Sequence, residues 1–122
     1  MVERQSGIII NMCSIASFIA GGGGAAYTAS KHALAGFTRQ LALDYAKDKI
    51  QVFGIAPGAV KTAMTASDFE PGGLADWVAQ ETPIGRWSNP EEIADLTEFL
   101  ASGKASSMQG EIIKIDGGWS LK

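Results

Sequence analysis

Three strand-like runs rich in isoleucine and other apolar residues, separated by helical patterns, constrain the fold of this chain more than any other feature. The runs are GIIINMC at 7–13, IQVFGIA at 50–56 and EIIKI at 111–115. A continuous apolar run is typical of a strand buried on both faces of a parallel sheet. Helical patterns lie between them, over 25–47, over 72–81, and from Asn89-Pro90 to a stop at Gly103. This order predicts an α/β fold whose parallel strands are joined by right-handed crossovers.

The long helical pattern at 25–47 has two distinct faces. Side chains three and four residues apart share a helix face. Larger apolar residues follow one face and small residues another: Leu34, Phe37, Leu41 and Tyr45 on the first, and Ala29, Ala33 and Gly36 on the second. Two usable faces predict that one packs on the sheet and the other on a partner helix in a homo-oligomer. The alternative is that the small residues only let the helix lie close to its own sheet.

Composition excludes several classes of partner. The chain has 122 residues, enough for one domain, and its net charge of -3 gives no basic surface for nucleic acid or an anionic membrane. No apolar run is long enough to cross a bilayer, and the N-terminus does not read as a signal peptide. One cysteine, Cys13, cannot form an internal disulfide, so we expect a reducing, cytoplasmic setting. No cluster of cysteine and histidine predicts a metal site.

Four consecutive glycines at 21–24 raise the question of a phosphate-binding turn. Gly21, Gly23 and Ala26 satisfy a loose G-x-G-x-x-A pattern between a strand and a helix. A phosphate-binding turn follows its strand directly, whereas about ten residues intervene here. The acid expected about twenty residues further on would be Asp44, but it falls inside the helix rather than at a strand end. The pattern therefore favours a loop that leads into the helix.

The residues beside the glycines are better candidates for chemistry. Tyr27 and Lys31 are four residues apart, so their side chains share one helix face. A nearby ammonium favours the phenolate, which makes a tyrosine a usable proton donor or acceptor. Ser14 follows the first strand at its carboxyl end, where open α/β sheets place their chemistry. Taken alone, Tyr-x-x-x-Lys is weak, because such pairs also occur on solvated helix faces.

Ser14, Tyr27 and Lys31, followed by IAPGAVKT at 55–62 and a terminal DGGW, resemble the short-chain dehydrogenase/reductase family over essentially the whole chain. Within that family the chain looks most similar to the 3-oxoacyl-acyl-carrier-protein reductases and to sugar-alcohol dehydrogenases. The resemblance implies a Rossmann-like three-layer fold, of which residues 1–122 would be the C-terminal catalytic half, with about three strands. Family members are about twice as long, and their first half supplies the glycine-rich phosphate turn.

The resemblance also implies roles for particular residues. Ser14 would polarise the substrate oxygen, Tyr27 would be the acid/base, and Lys31 would assist Tyr27 and bind the nicotinamide ribose. Tyr27 and Lys31 would also contact the cofactor, NADP or NAD. Pro57, Gly58 and Val60 would line its nicotinamide, with Thr62 near the amide or the phosphates. The substrate would be a small-molecule or acyl-carrier-linked carbonyl compound. The chain would act as the catalytic half of a larger enzyme or of a complex, with a homo-oligomer or a complementing N-terminal segment as its partner.

Two substitutions depart from the family pattern, and several alternatives stay open. Cys13 stands where the family often has a second serine, and Phe53 where it often has asparagine. Other polar residues have plainer interpretations, with His32 at the surface and Asp116 shaping a turn, while Ser17 does not fit the family's spacing to the tyrosine. Four apolar residues either form a lid over the substrate or are ordinary packing residues: Met64, Phe69, Trp77 and Trp87. The chain itself is either the catalytic half of an oxidoreductase or a non-catalytic interaction module that keeps the half-fold.

Overall fold

A computed structural model describes all 122 residues and contains three strands and three α-helices. In chain order these are β1 (Gly7–Met12), α1 (Gly24–Tyr45), β2 (Ile50–Pro57), α2 (Ala75–Glu81), α3 (Pro90–Ala101) and β3 (Ile112–Ile115). Short 3-10 helices cover Ile15–Ser17, Ala46–Asp48, Ala63–Phe69 and Trp119–Leu121. The strands form one parallel sheet in the order β1-β2-β3. The predicted α/β class is confirmed.

Element boundaries differ from the predicted ones by a few residues. α2 is shorter than the pattern at 72–81, and the 3-10 helix at 63–69 was absent from the sequence interpretation. α3 begins as predicted, with Asn89 at the cap position and Pro90 in the first turn, and it ends two residues before Gly103. Gly103 has a φ of +83°, a conformation that favours glycine and stops a helix.

The two long helices cover opposite faces of the sheet. Alternate residues of β2 point to opposite sides, so Val52 and Ala56 pack towards α1, whereas Phe53 and Ile55 pack with Leu100 of α3. Both connections move in the same direction across the sheet, from β1 to β2 and from β2 to β3. Crossovers that share a direction but use opposite faces have opposite hands. The expectation that both are right-handed is therefore wrong for one of them.

The face of α1 that packs on the sheet is narrower than the sequence interpretation assumed. Its buried residues are Ala35, Thr38 and Ala42. Phe37, which was grouped with the larger apolar residues, is 56% exposed, and Tyr45 is 37% exposed. Small side chains at the buried positions bring the helix axis close to β2. The large apolar stripe is thus split between the sheet and the solvent, and the small-residue stripe lies outside the contact with the sheet.

β1 is an edge strand, and this changes its burial. It pairs only with β2, from Gly7 opposite Ile50 to Met12 opposite Ile55. Residues 7–11 are half-buried and Met12 is exposed, whereas β2, in the middle of the sheet, is almost wholly buried. The prediction of a strand buried on both faces is correct for β2 and wrong for β1 in this chain.

The Gln109 side chain, shortly before β3, forms hydrogen bonds with backbone groups of α1 and β2. Its side-chain oxygen accepts a hydrogen bond from the Val52 N–H (3.0 Å). Its amide nitrogen donates to the carbonyl oxygens of Ala42 (2.8 Å) and Ile50 (2.9 Å). One side chain therefore pairs backbone groups of α1 and β2 that are beyond the reach of β3.

Candidate active site

A single open cleft of about 860 Å³ lies at the carboxyl edge of the sheet. β1 and β2 both end there, because the carboxyl ends of parallel strands meet at the same edge. All seven residues that the sequence singled out line this cleft: Ser14, Tyr27, Lys31, Pro57, Gly58, Val60 and Thr62. Residues from three separate stretches of chain thus come together at one place.

Ser14 is held by the short 3-10 helix that follows β1. Its hydroxyl oxygen accepts a hydrogen bond from the Ala16 N–H (3.1 Å), and its own N–H donates to the Ser17 hydroxyl (3.3 Å). A serine hydroxyl has one donor hydrogen and two acceptor positions. Since the bond from Ala16 uses an acceptor position, the hydroxyl hydrogen remains available to the cleft. Ser17 itself is buried and does not line the cleft.

Tyr27 lies in the first turns of α1, and the glycine run makes room for its ring. Gly23 has a φ of +120°, and a Cβ built on it would lie 2.6 Å from Cδ1 of Tyr27. Gly21 and Gly24 also have positive φ, and the run forms a bend that enters α1 without a side-chain cap. The loop interpretation is confirmed for Gly21, Gly22 and Gly23, whereas Gly24 is the first residue of α1. The absence of a side chain at Gly23 leaves the space that the Tyr27 ring occupies.

Lys31 is fixed between α1 and the end of β1. Its Nζ donates a hydrogen bond to the Met12 carbonyl oxygen (2.8 Å) and lies 5.6 Å from the centre of the Tyr27 ring. An ammonium group has three donors. Two donors of Lys31 therefore remain for a ligand in the cleft.

Gly58 and Asp116 form a close backbone contact at the ends of β2 and β3. A Cβ on Gly58 would lie 2.9 Å from both Cα and Cβ of Asp116, so only glycine fits. The Asp116 carboxylate accepts hydrogen bonds from the N–H of Gly118 (2.9 Å) and from the N–H and hydroxyl of Ser120 (3.0 and 2.6 Å). Burial opposes its ionisation, but these bonds and the charge of Lys114 hold the pKa of Asp116 below its ordinary value. Asp116 shapes the turn after β3, as predicted.

The two ends of the segment between β2 and α3 are joined by an isolated parallel bridge between Val60 and Ser88. Between these two residues, the rings of Phe69 and Trp87 lie 4.8 Å apart, and the Trp87 indole N–H donates to the Ala75 carbonyl (2.9 Å). These two aromatic residues hold the segment together. Met64, by contrast, is 91% exposed and lines the cleft.

Sequence reasoning missed the contribution of α3 to the cleft. Met12 and Cys13 at the end of β1 and one face of α3 complete the lining, with Pro90, Ile93, Ala94, Thr97 and Glu98. A helix that connects two parallel strands runs back along the sheet, so its N-terminus lies at the carboxyl edge. The predicted helix start at Asn89-Pro90 could therefore have indicated that the first turns of α3 lie at the cleft.

Other polar side chains lie outside this chemistry. The His32 ring contacts the Thr28 carbonyl (2.9 Å) on the exposed side of α1, and Asp44 accepts a hydrogen bond from Gln40 (2.7 Å) within the same helix. No group of three or more histidine, cysteine, aspartate and glutamate side chains is placed to hold a metal ion. None of the helices combines the length and the apolar character needed to span a bilayer.

The chain is thus a Rossmann-like α/β unit with its polar side chains gathered at the carboxyl edge of the sheet. It belongs to the short-chain dehydrogenase/reductase family: the family described as enoyl-(acyl carrier protein) reductase matches residues 1–120. It is 37% identical over 118 residues to gluconate 5-dehydrogenase of Gluconobacter oxydans, covering 97% of this chain and 46% of that protein. It is 36% identical to a 3-oxoacyl-[acyl-carrier-protein] reductase of Aquifex aeolicus, covering 97% of this chain and 47% of that protein.

A solved structure likewise matches this chain over about half of its own length. A gluconate 5-dehydrogenase from Burkholderia cenocepacia, crystallised in complex with NADP and tartrate, matches with a TM-score of 0.91 and 34% identity. The match covers 99% of this chain and 48% of that protein. The chain therefore spans about half the length of the relatives it matches.

Proposed function

We propose that this chain is the C-terminal catalytic half of an NAD(P)-dependent oxidoreductase that interconverts a carbonyl compound and its alcohol. The observation that carries the proposal is the meeting of Ser14, which follows β1, with Tyr27 and Lys31 of α1 in one cleft. Membership of the family and the NADP complex of the Burkholderia cenocepacia relative support it.

The three side chains divide the work on the substrate oxygen. The free hydroxyl hydrogen of Ser14 donates to that oxygen and orients it. In reduction, the Tyr27 hydroxyl gives its proton to the same oxygen, and in oxidation the phenolate takes it back. Lys31, whose Nζ lies 5.6 Å from the centre of the Tyr27 ring, places a positive charge beside the phenol. Met64 and Ile93 supply apolar surface to the cleft.

The residues of the cleft fit a nicotinamide cofactor. Lys31 keeps two donors after its bond to Met12, which suits the hydroxyls of a ribose. Gly58, Val60 and Thr62 line the same space, and a side chain on Gly58 is excluded by Asp116. Pro57, Gly58, Val60 and Thr62 would hold the nicotinamide, which supplies the hydride when bound. The pyrophosphate would be held by a complementing N-terminal half, because the glycine run of this chain follows its strand too late to form that turn.

The proposed substrate is a small-molecule or acyl-carrier-linked carbonyl compound. Two of the relatives described above are named for gluconate and one for an acyl-carrier-protein substrate. The first group favours a polyhydroxylated small molecule as the first compound to test.

The test joins this chain to the N-terminal half of the Gluconobacter oxydans gluconate 5-dehydrogenase and measures NAD(P)H oxidation with 5-ketogluconate and a 3-oxoacyl thioester. In the active fusion, Tyr27→Phe should lower turnover by about 100-fold or more with nucleotide affinity retained. The chain offers a matched control, because Tyr45→Phe removes the other phenol, at the far end of α1.

Two outcomes would contradict the proposal. One is near-normal turnover in Tyr27→Phe. The other is a folded fusion that binds NADPH and reduces no carbonyl compound, which would favour the interaction module, whose binding surface would be the open edge of β1.

A further inference from the structure

A second polar link joins β1 to α1, apart from the bond of Lys31. Asn11, whose side chain faces α1, donates from Nδ2 to the Thr38 hydroxyl oxygen (3.0 Å). The Thr38 hydroxyl donates in turn to the Leu34 carbonyl oxygen one turn earlier (2.7 Å). Thr38 is fully buried, with 0% of its surface exposed. Neither residue lines the cleft.

The link has a fixed direction. A threonine hydroxyl has one hydrogen, and in Thr38 that hydrogen is used by Leu34, so towards β1 the oxygen can only accept. The amide N–H of Asn11 must therefore point at one position along α1. A slide of the helix by one residue, about 1.5 Å, would break the bond.

The link lies close in sequence to the candidate catalytic groups. Asn11, in β1, precedes Ser14 by three residues, and Thr38 follows Lys31 by seven, two helical turns further along the same face. The position of α1 along β1 therefore sets the position of Tyr27 and Lys31 relative to Ser14.

We infer that Asn11 and Thr38 are a positioning pair that holds the tyrosine and lysine of α1 in register with the serine beyond β1. The inference rests on the proposed function. Stability alone does not call for the pair, because replacing both partners of a buried hydrogen bond by apolar groups of similar shape is close to neutral. An apolar contact, however, tolerates sliding, whereas a directional bond specifies one register.

The experiment compares three variants in the fusion enzyme described above, with turnover expressed per folded, nucleotide-binding molecule. Thr38→Val keeps the shape but removes the hydroxyl, and it should lower kcat about 10- to 100-fold with little change in the KM for NAD(P)H. Thr38→Ser is the matched control: it keeps the hydroxyl and should keep kcat within about 3-fold of the parent, since the bond from Asn11 is retained.

The double variant Asn11→Leu/Thr38→Val separates positioning from folding. It leaves no unpaired polar group, so its unfolding midpoint should return towards that of the parent while kcat stays low. If Thr38→Val alone does not fold, this double variant carries the test.

Full activity in the double variant, or equal kcat in Thr38→Val and Thr38→Ser, would overturn the inference while leaving the proposed function intact, provided that Tyr27→Phe is inactive. Activity retained in Tyr27→Phe would instead remove the function on which the inference rests.

Discussion

Gly23→Ala tests whether the glycine run serves the candidate acid/base. The new Cβ would lie 2.6 Å from Cδ1 and 2.9 Å from Cγ of the Tyr27 ring. The ring must move away by about 0.8 Å to restore ordinary van der Waals contact. The φ of +120° at this position adds about 1–3 kcal/mol of backbone strain for a residue with a Cβ. Tyr27 would therefore lie out of line with the substrate oxygen.

A displacement of this size should lower kcat by about 100-fold, equivalent to about 2.7 kcal/mol of transition-state stabilisation. The assay is steady-state NAD(P)H oxidation by the fusion enzyme, with nucleotide affinity measured in parallel. Gly22→Ala is the matched control, because Gly22 lacks the positive φ and a Cβ there has no atom within 4 Å. Equal turnover in the two variants would refute the steric function of Gly23.

Four further predictions concern stability, assembly and binding. Gln109→Leu leaves without partners the buried backbone groups that the Gln109 side chain pairs, and it should lower the free energy of unfolding by about 2–4 kcal/mol in urea titrations. The control Gln40→Leu, at an exposed position, should change the free energy of unfolding by less than about 0.5 kcal/mol. Equal effects of the two substitutions would contradict the buried role of Gln109. The bidentate hydrogen bond from Arg86 and the N–H of Asn89 lower the pKa of Glu92 to about 2. Because the pKa of Glu92 is depressed in the folded state, the ionised carboxylate stabilises the fold fully above the ordinary carboxyl range, and this stabilisation is lost as pH falls towards 2. The melting temperatures of the parent and of Glu92→Gln should therefore converge at low pH. A difference that stays constant with pH would contradict this. Sedimentation at micromolar concentration should show an oligomer that Phe37→Glu weakens, and a monomer in both would count against the partner interface. Calorimetric titration of the 122-residue chain should detect weak binding of NADH and NADPH or none, and micromolar affinity would return the glycine run to consideration.

The strands were predictable because they depend on local patterns. Runs rich in isoleucine and valine located β2 and β3 within one or two residues, and Asn89-Pro90 fixed the start of α3. The family resemblance, rather than the spacing of Tyr27 and Lys31 alone, led to the expectation that these two residues and Ser14 act together, and all three line one cleft.

Features that depend on the partner of an element were not predictable in the same way. Helical spacing groups Phe37 with Leu34 and Leu41, but the angle at which α1 lies on β2 decides which stripe is buried, and the small residues Ala35 and Ala42 permit a close approach there. The opposite faces of α1 and α3 could not be read from element order either, because that order is the same for both hands of a crossover. The polar link from Asn11 needed the register between strand and helix, which no short sequence window contains.

The contacts that hold the candidate site lie within this chain. Ser14 is fixed by residues 16 and 17, Lys31 by the end of β1, and Gly58 by a hydrogen bond from its N–H to the Ile115 carbonyl (3.1 Å). The open edge of β1 is a different kind of surface: backbone groups beside Ile8, Ile9 and Ile10 face outward with no charge or proline in that run to discourage pairing. The candidate site is held by contacts inside this segment, whereas the edge of its sheet is open. A second segment can therefore pair with that edge through backbone hydrogen bonds without moving the candidate catalytic groups. For this reason a fusion to a relative's N-terminal half is a fair test of the site, since the geometry under test is set on one side of the junction.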